Sequence, residues 1–130
     1  YPIVRFTVSS ELTPGVYHYN VKQHTLEYLW PEDHAGVNPA MLVQNEWACK
    51  ASVMLVMTSV FWRSQNKYKA RSYRYMCMEA GAIMQNAYLY ASDSDIKVVG
   101  YGGTYDDKVE QLLRLDTHTE SLLGAILIGK

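Results

Sequence analysis

The spacing of hydrophobic and polar positions changes period several times along the chain, and each period predicts a different element. Residues 2–8 alternate Ile3, Arg5 and Thr7 with Val4, Phe6 and Val8. A two-residue repeat rich in β-branched side chains predicts a strand. Thr13-Pro14-Gly15 is a turn signal. Residues 16–19 and 25–29 read as two more short strands, joined through the polar residues 20–24 as a hairpin. Residues 31–38 are rich in turn formers and predict a loop. Asn38 followed by Pro39 supplies an N-cap and a proline at the first helical position, which predicts a helix over residues 40–50.

Residues 52–61 are nearly all apolar and predict a strand buried on both faces. Residues 62–72 are polar and basic, a short helix and then a turn. Residues 73–91 carry the strongest helical period, with Met76, Ala80, Ile83, Ala87 and Tyr90 on one face. Gly81 sits inside that helix, where it costs about 1 kcal/mol against alanine. Residues 96–101 predict a strand ending in Gly102-Gly103. Thr104 and Asp107 resemble a capping box that opens a helix through Leu115. Residues 122–128 predict a last buried strand. Strands and helices mixed around one sheet make this an α+β fold, one unit over residues 1–130, without internal repeats.

Composition narrows the function. Twelve basic and 13 acidic residues leave a net charge of -1, so no global field draws nucleic acid or an anionic membrane. The longest apolar run, residues 53–57, is too short to span a bilayer, and no segment reads as a signal peptide. Cys49 and Cys77 lack a CxxC spacing and read as buried, reduced thiols of a cytoplasmic protein. His18, His24, His34 and His118 lack metal-ligand spacing, and no nucleophile elbow or phosphate loop is present. The acid pairs Asp93/Asp95 and Asp106/Asp107 suit a helix-end loop and a helix N-terminus. Eleven tyrosines suit an interface, a pocket for a flat ligand or a mixed core. Tyr1-Pro2 lacks an initiator methionine, so a processed or partial chain is expected.

Two segments carry candidate chemistry. Residues 66–75 interleave Lys67, Lys69, Arg71 and Arg74 with Tyr68, Tyr73 and Tyr75, a pattern that also suits a solvated helix and turn. Residues 98–104 place glycines between a strand end and a helix start, where backbone N–H groups can face a planar or anionic ligand.

Taken together, these segments resemble the SagB-type branch of the nitroreductase superfamily. Gly15-Val16-Tyr17-His18-Tyr19 with His24-Thr25-Leu26-Glu27 resembles its G-L-Y-x-Y…H-x-L-E hairpin. Lys67-Tyr68 with Arg71 to Tyr75 resembles K-Y-x-x-R-x-Y-R-Y. Glu79-Ala80-Gly81 with Gln85-Asn86 matches E-A-G-x-x-x-Q-N, and residues 100–107 resemble G-x-G-G-F-x-D-D, with Thr104 as an extra residue. Leu112-Leu113, Leu115-Asp116 and the closing Ile128-Gly129-Lys130 also fit, Lys130 standing where the family more often has arginine.

The resemblance implies a mainly antiparallel sheet flanked by helices, of which this chain would be the C-terminal part. The family's Arg-Ser-x-Arg phosphate-binding element is absent from these residues, so the chain alone is expected to bind flavin mononucleotide (FMN) poorly. The resemblance further implies FMN at a homodimer interface and oxidation of thiazolines and oxazolines in a peptide substrate, with cyclodehydratase subunits as further partners. It assigns Lys67 as the base and Tyr68 as its hydrogen-bonding partner. A lysine base needs burial or neighbouring cations, here Lys69, Arg71 and Arg74, to bring its pKa towards neutrality. Gly100, Tyr101 and Gly102 would approach the flavin ring through their backbone, and Lys130 would reach the phosphate with charge but without a bidentate fork. Two other readings stay open: a flavin-free structural subunit of a peptide-modifying complex, and a general NAD(P)H-dependent nitro- or quinone reductase.

Overall fold

The computed structural model describes residues 2–5, 12–31 and 39–129. Predictions for residues 6–8, for most of the loop at 31–38, and for His34 and Lys130 lie outside the described residues. The strands are β1 (Pro2–Arg5), β2 (Gly15–Asn20), β3 (Thr25–Trp30), β4 (Val53–Val60), β5 (Lys97–Tyr101) and β6 (Glu120–Gly129). Among the described residues three α-helices accompany them: α1 (Phe61–Tyr68), α2 (Ser72–Ser92) and α3 (Asp106–Leu113). The strands form one sheet in the order β3-β2-β1-β4-β6-β5, and every pairing is antiparallel. This is the expected α+β architecture, an antiparallel sheet with helices against it.

Strand alternation separates two faces. Met54 pairs with Leu127, Val56 with Ala125, and Ala125 with Tyr101, so these five side chains share one face. With Val16, Leu42, Val109, Leu112 and Leu113 they form the main core. Each fully buried aliphatic side chain there contributes roughly 1.5–3 kcal/mol. The opposite face carries Ile126, which is fully buried, and α2 lies against β5 and β6. Met57, one residue past Val56, falls on this opposite face and is buried as well. Strand β4 is therefore central but less enclosed than predicted: Met54, Val56 and Met57 are buried, while Val53, Leu55 and residues 58–60 remain partly open.

Residues 40–50 do not form the predicted α-helix. They make two 3-10 turns, Pro39–Met41 and Glu46–Lys50. Between them Val43 bridges Thr104, Gln44 N–H donates to the Gly103 carbonyl at 2.8 Å, and Tyr105 N–H donates to the Leu42 carbonyl at 3.0 Å. The loop after β5 thus takes the backbone groups that a helical ladder would need.

The capping box is also replaced. Tyr105 occupies the N-cap of α3 with no side-chain cap bond, and Thr104 Oγ1 donates to Asp106 Oδ1 at 2.6 Å. Asp106 and Asp107 still place negative charge in the first turn, where the helix dipole favours it. On α2 the covered stripe drifts as 3.6 residues per turn require. Met76 is buried, Ala80, Ile83, Met84, Ala87 and Tyr88 are half-buried, and Tyr90 is 68% exposed. Cys49 and Cys77 are both exposed and unpaired, not buried. Cys77 stands one residue past Met76 and so points about 100° away from the covered stripe.

Among the described residues no helix is long and apolar enough to cross a membrane.

Candidate functional site

The corner where α1 meets α2 holds the Lys-Tyr pair. Helix α1 ends at Tyr68 because Lys69 adopts φ 52°, ψ -136°, a conformation that L-residues rarely take. Two bonds keep it there: Lys69 N–H donates to the Gln65 carbonyl, and the buried Ser72 hydroxyl donates to the Lys69 carbonyl at 2.7 Å. A 3-10 turn over Lys69–Arg71 then leads straight into α2. This tight reversal sets Tyr68 edge-on against Tyr75, with ring centroids 5.1 Å apart and planes at 82°. Phe61 and Tyr73 stack nearby at 6.1 Å.

Lys67 Nζ lies over the Tyr68 ring, 5.1 Å from its centroid. The contact is therefore with the ring face, a cation–π geometry, and not the hydrogen bond expected from the resemblance. Lys67, Lys69, Arg71 and Arg74 are all exposed.

Two open clefts adjoin this corner. One of about 340 Å³ is lined by Ser64, Tyr68, Tyr75, Met76 and Glu79. The second, of about 460 Å³, shares Ser64, Met76 and Glu79 and continues past Ser59, Arg63 and Glu120 to His18. Its walls mix a cation, carboxylates and hydroxyls with apolar side chains, which suits a polar chain with apolar groups. Glu120 accepts from the Thr58 hydroxyl, and His18 Nδ1 meets Glu27 Oε2 at 3.0 Å. Asn20 Nδ2 donates to the other Glu27 oxygen at 2.8 Å. Those two hydrogen bonds, Asn20's the larger influence, hold the Glu27 carboxyl below its ordinary range. Among the described residues no group of three or more His, Cys, Asp or Glu side chains is placed to hold a metal ion.

The glycine turn lies at the far edge of the sheet. Gly100 faces α2: its N–H donates to the Tyr88 hydroxyl at 2.7 Å, and a β-carbon would sit 2.5 Å from Met84 Sδ. Its backbone donor is thus already engaged. Tyr101 is buried, and its hydroxyl donates to Asn45 Oδ1 at 2.9 Å while accepting the Asn45 N–H at 3.2 Å. Gly102 is exposed, with open space where a β-carbon would stand. Of the three, Gly102 has the surface that a flat ligand needs.

Beside this turn runs a groove of about 290 Å³, lined by Trp47, Lys50, Lys97, Val99, Leu127 and Gly129 among others. Trp47 is 52% exposed and stands edge-on against Tyr101 at 5.5 Å. An apolar wall with two cations and a neighbouring open glycine fits an anionic group with a planar body, the chemistry of a flavin nucleotide. Trp47, Lys50 and Lys97 escape sequence reasoning because they come together only through the β5–β6 register and the second 3-10 turn. The Lys67–Tyr68 corner and the glycine turn thus stand at separate places on this chain: the corner precedes the first turn of α2, and Gly100 meets Met84 and Tyr88 further along it.

Comparison with known proteins places these features in a family. The chain is 27% identical to the "Putative nitroreductase" of Methanocaldococcus jannaschii over 101 residues, 78% of this chain and 51% of that protein. A crystal structure of a "putative nitroreductase" from Anabaena variabilis superposes with a TM-score of 0.84 at 26% identity, covering 98% of this chain and 26% of that one. A chain of the Escherichia coli microcin synthetase McbBCD complex, solved with truncated pro-MccB17 bound, shares the fold with a TM-score of 0.79 at 24% identity. That match covers 99% of this chain and 50% of the other. The chain thus spans about half the length of the curated relative it matches. The sequence model of the nitroreductase family matches residues 3–130, all but the first two residues, and the chain belongs to that family.

Proposed function

We propose that the protein is an FMN-dependent oxidoreductase that dehydrogenates thiazolines or oxazolines in a peptide to the aromatic heterocycles. The observation that carries this reading is Tyr68, which lines an open cleft and carries Lys67 Nζ over its ring. The likeness to a microcin synthetase chain supports it at the level of fold. FMN, when bound, supplies the acceptor for the hydride. Lys67 takes the proton from the neighbouring ring carbon, Tyr68 and Tyr75 hold the flat heterocycle, and the second cleft seats the flanking peptide. Gly102 and Lys130 are the cofactor-side residues. The assembly is a homodimer, supported by α2, where Met78 and Leu89 lie on one face and are 68% and 60% exposed. Cyclodehydratase subunits are its further partners.

The test uses the protein that carries this chain. Its absorbance is checked for bound flavin, and a thiazoline-containing peptide is incubated with it and weighed for loss of one hydrogen pair. Lys67→Ala abolishes that loss and leaves the flavin spectrum unchanged. A colourless protein would mark a structural subunit. Flavin bleached by NADPH with no azoline oxidation would mark a general reductase.

A further inference from the structure

Helix α2 buries two of its side chains almost completely, Met76 and Ser72. Apolar area accounts for Met76. It does not account for Ser72, because a hydroxyl taken out of water costs free energy unless it keeps a partner, and alanine there would favour the helix more. Its neighbours Arg71, Tyr73 and Arg74 are all exposed. The partner of the buried hydroxyl is the Lys69 carbonyl at 2.7 Å, which also accepts the Ser72 N–H. Ser72 therefore bonds backwards, out of the helix that it opens and into the turn before it.

Two donors from one residue fix the direction of the Lys69 carbonyl, which is what its ψ of -136° records. At φ 52° an L-residue relaxes unless its surroundings hold it. Relaxation there changes the angle between the end of α1 and the start of α2. Tyr68 closes α1, and Tyr75 lies three residues past Ser72, so their edge-on contact at 5.1 Å spans this joint. Lys67 Nζ, over the Tyr68 ring, moves with it. In the K-Y-x-x-R-x-Y-R-Y pattern both Lys69 and Ser72 fall on unspecified positions. The pattern supplies the lysine and the tyrosines, and Ser72 supplies the bond that sets them.

We infer that Ser72 is a positioning residue: its buried hydroxyl latches the strained Lys69 turn and so holds Tyr68, with Lys67 over its ring, against Tyr75. The effect on turnover rests on the proposed role of Lys67. The effect on the aromatic contact rests on geometry alone.

The test uses the full-length protein and reads two quantities: kcat on a thiazoline peptide per folded, flavin-loaded site, and the ring-proton shifts of Tyr68 and Tyr75 by nuclear magnetic resonance. Ser72→Ala lowers kcat by about tenfold or more, the cost of misplacing a reacting group, and moves both sets of ring shifts. Glycine takes the Lys69 conformation without strain, so it makes the latch dispensable. In a Lys69→Gly background, Ser72→Ala changes kcat by less than about twofold and leaves the ring shifts in place. A purely structural hydroxyl would lower the melting temperature and leave kcat per folded site and the ring shifts as in wild type, which would overturn the inference. Equal losses of kcat from Ser72→Ala in both backgrounds would overturn it too. Ring shifts that move and recover as described, with Lys67→Ala still oxidising thiazoline at full rate, would support the latch and overturn the role of Lys67 instead.

Discussion

The Tyr88 hydroxyl accepts the Gly100 N–H at 2.7 Å and so ties the last described strand of the sheet to α2. Strand β5 is an edge, and an edge leaves backbone donors open to foreign strands. Tyr88 closes one of them from within the chain. Gly100 is required for the approach, since a β-carbon there would lie 2.5 Å from Met84 Sδ and 2.8 Å from Tyr88 Oη. Gly100→Ala is expected to destabilise by roughly 1–3 kcal/mol through overpacking. Tyr88→Phe is expected to cost about 1 kcal/mol through the lost hydrogen bond. Urea unfolding measures both. An alanine variant as stable as wild type would show that Met84 moves aside freely.

Backbone strain at Lys69 predicts a gain. A non-glycine residue at φ 52°, ψ -136° costs on the order of 1–3 kcal/mol, and glycine relieves most of that. Lys69→Gly is therefore expected to raise stability by about 1 kcal/mol after glycine's own entropic cost. Ser72→Ala removes the buried hydroxyl that holds the Lys69 carbonyl and is expected to cost about 1–2 kcal/mol. If the Tyr68–Tyr75 contact depends on this turn, Ser72→Ala also lowers turnover, whereas Lys69→Gly preserves it.

How much of this was legible from the residues depended on whether neighbours in sequence or in space decide the outcome. The strands at 16–19, 25–29 and 96–101 were readable because alternation is local, and α2 because its period runs over five turns. The segment at 40–50 misled. Asn38-Pro39 is a sound helix start, but Gln44 and Leu42 bond to the loop around Gly103 and Tyr105 instead. No local signal announces a partner some sixty residues on. The pattern also placed Tyr90 on the covered face of α2, but Tyr88, two residues earlier and about 200° around the helix, makes the contact. Of the candidate site, the Lys67–Tyr68 pair and the glycine turn came from family motifs. The Trp47, Lys50 and Lys97 groove has no motif, because β-sheet register assembles it.

The hairpin carries a pH dependence of known sign. Glu27 accepts hydrogen bonds from Asn20 and meets His18, which lowers its pKa from the ordinary 4.5. A depressed carboxylate pKa contributes stability that is fully present above the unfolded value. That contribution is lost as pH falls through the folded value. Glu27 is exposed to solvent, so global stability changes little. The prediction is local: the Glu27 carboxyl, followed by nuclear magnetic resonance, titrates below 4.5, and Asn20→Ala moves it up. A midpoint unmoved by Asn20→Ala would assign the shift to His18.

Arg114 joins two opposing effects whose sizes decide the outcome of one substitution. It ends α3 in the left-handed conformation at φ 54°, ψ 41°, which costs a non-glycine residue about 1–2 kcal/mol. Its guanidinium also lies over the Trp30 ring at 4.8 Å, worth about 0.5–1 kcal/mol at an exposed site. Trp30 in turn donates its indole N–H to the Leu112 carbonyl at 3.0 Å, satisfying one of the carbonyls that a helix end leaves open. Arg114→Gly relieves the first cost and forfeits the second, so its net effect is expected within about 0.5 kcal/mol of zero. The two effects separate when the ring is removed. In a Trp30→Leu background, Arg114→Gly has no cation–π contact to lose and is expected to stabilise by about 1 kcal/mol. Trp30→Leu alone is expected to cost more than 1 kcal/mol, since it strips the Leu112 carbonyl of its donor. Equal effects of Arg114→Gly in the two backgrounds would show that the guanidinium stack contributes nothing and that conformation alone governs this helix end.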